Sequence, residues 1–365
     1  MLIAVTGASG HVGSNLCPLL LAQGHRLRVL VHRKRDHLND PACERVQGDL
    51  TDPDAMDRLV QGADAVYHLA ARISIDSARD PLVQRVNVDG TRNVVEACVR
   101  HGVKRLVHFS SIHSYRAKPR TGTLDESRGP TEELAPAYDR SKAAGDAIVL
   151  QAVREHGLNA VILAPTSVFG PNDHGPSLLG QAIADIHHGR IPLLAPGGYD
   201  FVDVRDVAQA AVHALTQGAA GEKFLLSGHY YSVKDLAAAI GRATGRRVVQ
   251  RVAPAWLLFS LVPFFRAQAW LTHKPALLTQ EAIHALLEGH PRISCAKAER
   301  ILSFNRRPFE ESISETVAWW RHPLPHERNN SGQRSPGRCC PHPVDETPAC
   351  VLGTGEAFPI HWLNH

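Results

Sequence analysis

Short apolar runs recur through the first half of the chain, at Leu2–Thr6, Leu27–Val31, Ala65–Leu69, Arg105–Phe109 and Ala160–Leu163. Between them lie segments with helical spacing, notably Pro81–His101 and Ala137–His156, long enough to be right-handed crossovers joining parallel strands. This rhythm predicts an α/β fold with a doubly wound parallel sheet. After Leu163 the pattern loosens into Pro/Gly-rich loops (165–176, 192–198) and short helices, as expected of a smaller C-terminal lobe growing from the carboxyl edge of the sheet. From Val252 to Leu287 the chain is mostly helical and unusually apolar, with Trp256, Leu257, Leu258, Phe259, Leu261, Phe264, Phe265, Trp270 and Leu271 close together. It reads as a packed helical subdomain, with a lipid-contacting surface patch as the alternative. Residues 322–365 are rich in Pro, His, Arg, Asn and Gly without periodicity, which predicts a disordered tail.

Composition narrows the partners. The 365 residues are 44% apolar, enough for one large α/β domain or two lobes. The 40 basic and 36 acidic residues leave a net charge of +4 with no basic tract that would track a phosphate backbone, so nucleic acid is not an expected partner. Seven irregularly spaced cysteines predict free thiols in a reducing compartment, hence the cytoplasm. In the tail, Cys339, Cys340, His342, Cys350 and His361 fit no zinc spacing, and no metal site is expected. The opening Met-Leu-Ile-Ala-Val-Thr-Gly has no charged n-region or cleavage site, so no signal peptide is expected. The longest apolar run, Trp256 to Phe265, is too short to span a bilayer and contains Pro263.

Gly7, Gly10 and Gly13 form Gly-x-x-Gly-x-x-Gly between the first strand and a helical segment. There, glycines let backbone amides approach a pyrophosphate at a helix N-terminus, which predicts a Rossmann-type site for a dinucleotide in residues 1–165. Later segments are free to return to that domain, and 166–321 is mainly the substrate lobe. Pro18 falls inside the helix that should follow and predicts a kink or a late helix start. At the end of the second strand, where an acidic residue would accept from the ribose of NAD, the sequence reads Val31-His32-Arg33-Lys34-Arg35. These cations suit a 2′-phosphate and favour NADP, while Asp36 keeps NAD open.

Tyr138 and Lys142 are four residues apart at the start of a predicted helix, so the phenol and the ammonium share one face. A nearby ammonium lowers a phenol pKa and lets it trade a proton with a substrate oxygen. Ser110 and Ser111 close the strand Arg105–Phe109 at the same sheet edge, where a hydroxyl can bond the reacting oxygen. His113 and Tyr115 follow closely, and His113 is either a second proton-transfer group or part of loop packing.

Eight motifs occur in order: Thr-Gly-Ala-Ser-Gly-His-Val-Gly (6–13), Gly-Asp-Leu (48–50), His-Leu-Ala-Ala (68–71), Asn-Val-Asp-Gly-Thr (87–91), Phe-Ser-Ser (109–111), Tyr-x-x-x-Lys (138–142), Pro-Thr-Ser-Val-Phe-Gly-Pro (165–171) and Phe-Val-Asp-Val-Arg-Asp-Val-Ala (201–208). With them the chain resembles the extended short-chain dehydrogenase/reductase family, and within it bacterial proteins similar to dihydroflavonol 4-reductase and 3β-hydroxysteroid dehydrogenase, over nearly all of residues 1–321. The resemblance implies that Tyr138 is the general acid/base, that Lys142 lowers its pKa and holds the nicotinamide ribose, and that Ser111 positions the substrate oxygen. It places His11 and Val12 in the phosphate loop with the three glycines, His32 and Arg33 at the ribose, and Asp49 and Leu50 at the adenine. Ala70 and Ala71 would pass along the cofactor, Asn87 would support the site or cap a helix, and Pro165 to Val168 would border the carboxamide. Relatives often dimerise through two long helices, so Pro81–His101 and Ala137–His156 would be the dimer faces.

Departures from other members of the family narrow the chemistry. Sugar nucleotide dehydratases carry Asp-Glu after the catalytic hydroxyl residue, whereas Ile112 and His113 follow Ser111. Epimerases place an arginine ahead of the segment at 201, where this chain has Tyr199 and Asp200, and Ala164 stands where many relatives have arginine. The expected activity is therefore NAD(P)-dependent interconversion of a ketone and a secondary alcohol on a largely apolar small molecule. The alternatives are a sugar epimerase with tightly held NAD and a non-catalytic dinucleotide sensor or scaffold.

Overall fold

The computed structural model describes residues 1–32, 42–73, 80–272 and 279–321. Arg33 to Asp36 and the predicted tail, with its cysteines and histidines, lie outside the described residues. Seven strands form one parallel sheet: β1 (Leu2–Thr6), β2 (Arg26–Val31), β3 (Cys43–Gln47), β4 (Ala65–His68), β5 (Arg105–Phe109), β6 (Ala160–Pro165) and β9 (Lys223–Leu226). Their order is β3-β2-β1-β4-β5-β6-β9, so the strand order reverses between β1 and β4, the switch point where such sheets open a crevice at their carboxyl ends.

The central strands are mostly apolar because both faces are covered. Ile3 and Val5 point into a core shared with α1 (His11–Ala22), α7 (Val204–Ala214) and α11 (Ala296–Leu302). Ala4 joins Val66, Leu106 and Ile162 on the opposite face, under α2 (Pro53–Val60), α4 (Gly90–Arg100) and α5 (Ala137–His156). The edge strand β3 buries only Val46, which is why it carries no apolar signature.

The expected helix at Pro81–His101 is present as three joined pieces: α3 (Pro81–Gln84), a π-helical turn at Arg85–Asp89, and α4. π-turns are rare and concentrate at functional sites, and this one carries Asn87. Pro18 does not delay α1, which begins at His11 directly after the glycine loop. Its missing N–H falls opposite the carbonyl four residues back, so the first turn, fixed by the Ser14 amide on the Gly10 carbonyl at 2.8 Å, is untouched.

A second, three-stranded sheet has the order β10-β8-β7, from β7 (Ser167–Phe169), β8 (Gly198–Asp203) and β10 (His229–Ser232). It packs with α6 (Leu178–His187), α8 (Val233–Thr244) and α12 (Phe309–Arg321) around Phe169, Phe201, Ile240 and Phe309. A smaller cluster of Ala253, Leu258, Val262 and Ile283 joins α9 (Ala255–Thr272) to α10 (Gln280–Glu288).

Buried Asp200 stitches the two sheets together. It accepts from the Thr166 hydroxyl at 2.7 Å, the Ser227 hydroxyl at 3.0 Å and the Gly228 amide at 2.7 Å. Burial holds this carboxyl above its usual range, although all three hydrogen bonds and His229 oppose that shift. Its location explains why an acidic residue, rather than a ligand-binding cation, stands just ahead of the Phe201 segment.

Candidate active site

The glycine loop is a cradle that side chains would fill. Gly7 has φ +73°, and a Cβ there would lie 2.6 Å from the Ala70 amide nitrogen, so β1 can turn against β4 only without a side chain. A Cβ on Gly13 would come within 2.4 Å of the Gly7 carbonyl oxygen, so the third glycine lets α1 sit directly on the loop. Gly10 precedes the helix in extended conformation and no side chain caps the first turn, which leaves the His11 and Val12 end of α1 available to an anion. The first turn is also anchored from outside. The His11 imidazole and the Asn15 amide both donate to the Pro171 carbonyl, each at 3.1 Å, and Asn172 donates to Asn15 at 3.0 Å. The loop after Pro165–Val168 is thereby tied to the phosphate cradle.

At the carboxyl ends of β2 and β3, His32 Nδ1 lies 3.0 Å from Asp49 Oδ2, both partly exposed. Burial raises the Asp49 pKa, but hydrogen bonds from Thr51 and the charges of His32 and Arg85 outweigh it and hold the carboxyl below its usual range. Leu50 is buried against Gly90, where a Cβ would approach the Leu50 Cβ to 2.9 Å, and its carbonyl accepts from Asn93 at 2.9 Å.

A directional chain of hydrogen bonds runs beneath the crevice. The Ala70 amide donates to Thr6 Oγ1 at 3.3 Å, and that hydroxyl lies 2.8 Å from His68 Nδ1. His68 Nε2 lies 2.9 Å from Thr91 Oγ1, which donates to the Asn87 carbonyl at 2.6 Å. Since the Thr91 proton is committed to that carbonyl, His68 must carry its proton on Nε2 and accept on Nδ1. Burial first, then electrostatic coupling to His108 and the charge of Lys142, hold the His68 pKa well below its usual value, in keeping with this neutral tautomer.

Asn87 caps no helix: its amide donates to the Arg72 carbonyl and to Ser141 Oγ, both at 2.9 Å, and its oxygen accepts from the Arg72 amide at 2.7 Å. Ser141 passes the chain to the Tyr138 carbonyl at 2.7 Å. The segment containing Ala70 and Ala71, the π-turn and the start of α5 are thus one hydrogen-bonded unit.

Tyr138 and Lys142 lie on α5 over the end of β5. The Ser111 side chain lies close enough to the Tyr138 hydroxyl to act on its pKa, and Ser111 accepts from the His113 amide at 3.3 Å. The His113 and Tyr138 rings meet edge to face at 5.7 Å, and His113 Nδ1 is 3.2 Å from Asp139 Oδ1. Although burial lowers the His113 pKa, the Asp139 hydrogen bond and charge raise it above its usual value overall.

Lys142 Nζ donates to the Phe109 carbonyl at 2.9 Å and lies 6.0 Å from the Tyr138 ring centroid. Burial pushes Tyr138 up to about 12, the Ser111 side chain opposes the rise, and Asp139 adds to it. Burial pushes Lys142 itself down to about 8, against the pull of Asp146 one turn further on.

Sequence reasoning assigned no role to the layer under Lys142. Asp146 pairs with Lys223 at 2.7 Å, and Lys223 lies over the Tyr115 ring at 4.1 Å from its centroid. His108 faces Asp146 at 3.7 Å but is neutral, since burial and the charges of Lys142 and Lys223 push its pKa to about 3. The helical spacing of Tyr138, Lys142 and Asp146 is the one sequence signal that could have found this layer.

A doubly wound parallel sheet whose first turn is a glycine cradle is the framework of the extended short-chain dehydrogenase/reductase class, a class of NAD(P)-dependent enzymes acting on small molecules. The model of the NAD dependent epimerase/dehydratase family matches residues 3–228, more than half of the chain, and the protein belongs to that family. Among its relatives, "sterol demethylase protein B" of Methylococcus capsulatus is 32% identical over 327 residues, covering 88% of this chain and 98% of the relative. The dTDP-glucose 4,6-dehydratase of Streptomyces antibioticus is 29% identical over 349 residues, covering 88% and 92%. The structure of the UDP-glucose 4-epimerase of Thermus thermophilus in complex with NAD superposes with a TM-score of 0.70 at 26% identity, covering 89% of this chain and 100% of that one.

Two substitutions test this geometry. Thr91→Val keeps the shape but strands the His68 Nε2 proton and the Asn87 carbonyl, and urea unfolding should show a loss of about 1–3 kcal/mol; a loss below 0.5 kcal/mol on that scale would show that the chain contributes little. Gly7→Ala forces both an unfavourable φ and a backbone clash, costing about 1–3 kcal/mol, and titration should show dinucleotide affinity reduced at least about tenfold. Unchanged affinity would remove Gly7 from the cradle.

Proposed function

We propose that the protein is an NADP(H)-preferring reductase or dehydrogenase that interconverts a ketone and a secondary alcohol on a largely apolar small molecule. The observation that carries this reading is the juxtaposition of the Tyr138 phenol and the Ser111 side chain at the carboxyl end of β5, on the sheet edge that also bears the glycine cradle.

The residues fit a dinucleotide. Gly7, Gly10, Gly13, His11 and Val12 would hold its pyrophosphate, Asp49 and Leu50 its adenine end, Ala70 and Ala71 its middle, Lys142 its ribose, and Pro165 to Val168 its carboxamide. When bound, the cofactor supplies hydride exchange at the substrate carbon. Ser111 donates to and orients the substrate oxygen. Tyr138, held protonated at neutral pH by its burial, delivers a proton to that oxygen in reduction and takes one back in oxidation. Asn87 acts at one remove by fixing Ser141 and the turn that presents Tyr138.

The preference for NADP rests on the cationic run after β2. His32 is engaged by Asp49, so discrimination falls on Arg33 and Lys34. NAD is the alternative cofactor. An apolar substrate is supported by the sterol named for one relative and by the absence of a cation from positions 164, 199 and 200. The same reading includes a reducing compartment such as the cytoplasm, suited to the buried thiols of Cys17 and Cys98, and a homodimer formed through the outer faces of α4 and α5.

Tyr138→Phe removes only the hydroxyl. Reduction of apolar ketones followed at the nicotinamide absorbance should fall by a factor on the order of 10²–10⁴, with cofactor affinity within about twofold of the parent. Turnover within about twofold of the parent would exclude proton transfer by Tyr138.

A further inference from the structure

From the outward face of α9 we infer that the protein docks on the surface of an anionic phospholipid bilayer through this helix, with Trp256, Phe264 and Leu271 inserted among the lipids and the arginines before the helix on the headgroups. The inference is independent of the reductase reading, because it is read by lipid binding and not by turnover.

Helix α9 spans Ala255–Thr272, and its described side chains pack on the fold through one face. Leu258 and Val262 are buried, and Leu257 and Phe259 pack beside them against Ala195, Ala253, Ile283 and Leu287. The opposite stripe, Trp256, Ser260, Phe264, Ala267 and Leu271, follows the i, i+4, i+8, i+11, i+15 spacing of a single helical face and is exposed along its length. Its large members stand 69%, 65% and 70% exposed at Trp256, Phe264 and Leu271, with Leu261 on the flank. Two aromatics and a leucine are held in water on a single helix face, unlike the isolated apolar residues common on monomer surfaces.

The charge around this stripe selects the occupant. From Leu236 to Gln280 the sequence contains six Lys or Arg residues and no Asp or Glu. Arg246, Arg247 and Arg251 lie in the connection leading into α9, all exposed, and none has an ion-pair partner among the described residues. Glu288, at the end of the neighbouring α10, is neutralised by Lys118 at 3.3 Å. A second copy of this chain would set these like charges against each other. An anionic headgroup layer accepts them while the acyl boundary accepts the aromatics. At about 1.5 Å per residue the helix is roughly 27 Å long, and among the described residues no helix is long and apolar enough to cross a membrane, so α9 lies in the interface plane.

The test uses the full chain and phosphatidylcholine vesicles with and without phosphatidylglycerol, read by co-sedimentation and by quenching of tryptophan fluorescence with brominated acyl chains. The protein should sediment with the phosphatidylglycerol vesicles and be released by salt, and Trp256→Phe should remove most of the quenching. Trp256→Ser with Phe264→Ser should weaken binding by a factor on the order of 10–100 at an unchanged melting temperature. Arg246→Gln, Arg247→Gln and Arg251→Gln combined should abolish the preference for anionic vesicles. The inference is overturned if the parent stays in the supernatant with both vesicle types or binds both equally. It is equally overturned if light scattering shows a dimer that Phe264→Ser dissociates while no lipid is bound.

Discussion

The hydrogen-bonded chain from the Ala70 amide through Thr6, His68, Thr91, Asn87 and Ser141 to the Tyr138 carbonyl is the constraint on which the site depends. It crosses the switch point of the sheet and links the glycine turn after β1, the end of β4, the π-turn and the start of α5. Each member has its donors and acceptors used, so it gains from the low dielectric that would punish an unpaired group. Its net stabilisation is only about 1 kcal/mol per bond. Its larger effect is to fix the register between the cofactor cradle and Tyr138, because a shift of either element would leave several buried polar groups unpaired at once.

Burial does the remaining tuning. It keeps Tyr138 protonated, makes the Lys142 ammonium a stronger acid than that of a surface lysine, and renders His108 neutral beside a buried carboxylate. Asp146 and Lys223 supply charge under Lys142 without reaching the crevice. Asp200 ties the second sheet to the first, and the contacts of His11 and Asn15 with Pro171 tie the loop after β7 to the start of α1.

The central strands were legible because a strand covered on both faces is predominantly apolar, and the runs at 2–6, 105–109 and 160–163 fall within observed strands. Edge strand β3 was not, since Glu44, Arg45 and Gln47 face solvent and only Val46 is buried. The Tyr138 and Lys142 pair and the glycine loop announce themselves through spacing together with their places beside predicted strands and helices. The chain that orients them does not: Thr6, His68, Thr91 and Ser141 are ordinary polar residues until the fold brings together positions 62, 23 and 54 residues apart. Nor could sequence show that Lys142 would bond a backbone carbonyl, because every residue carries that acceptor.

The central claim is that the cradle holds an exchangeable dinucleotide beside Tyr138. Calorimetric titration of the purified chain with NADPH and with NADH, after its absorbance has been checked for copurified nucleotide, tests this most directly. The account predicts a site that binds one NADPH per chain and binds NADH more weakly. A full complement of NAD already bound, or no binding of either nucleotide, would contradict it.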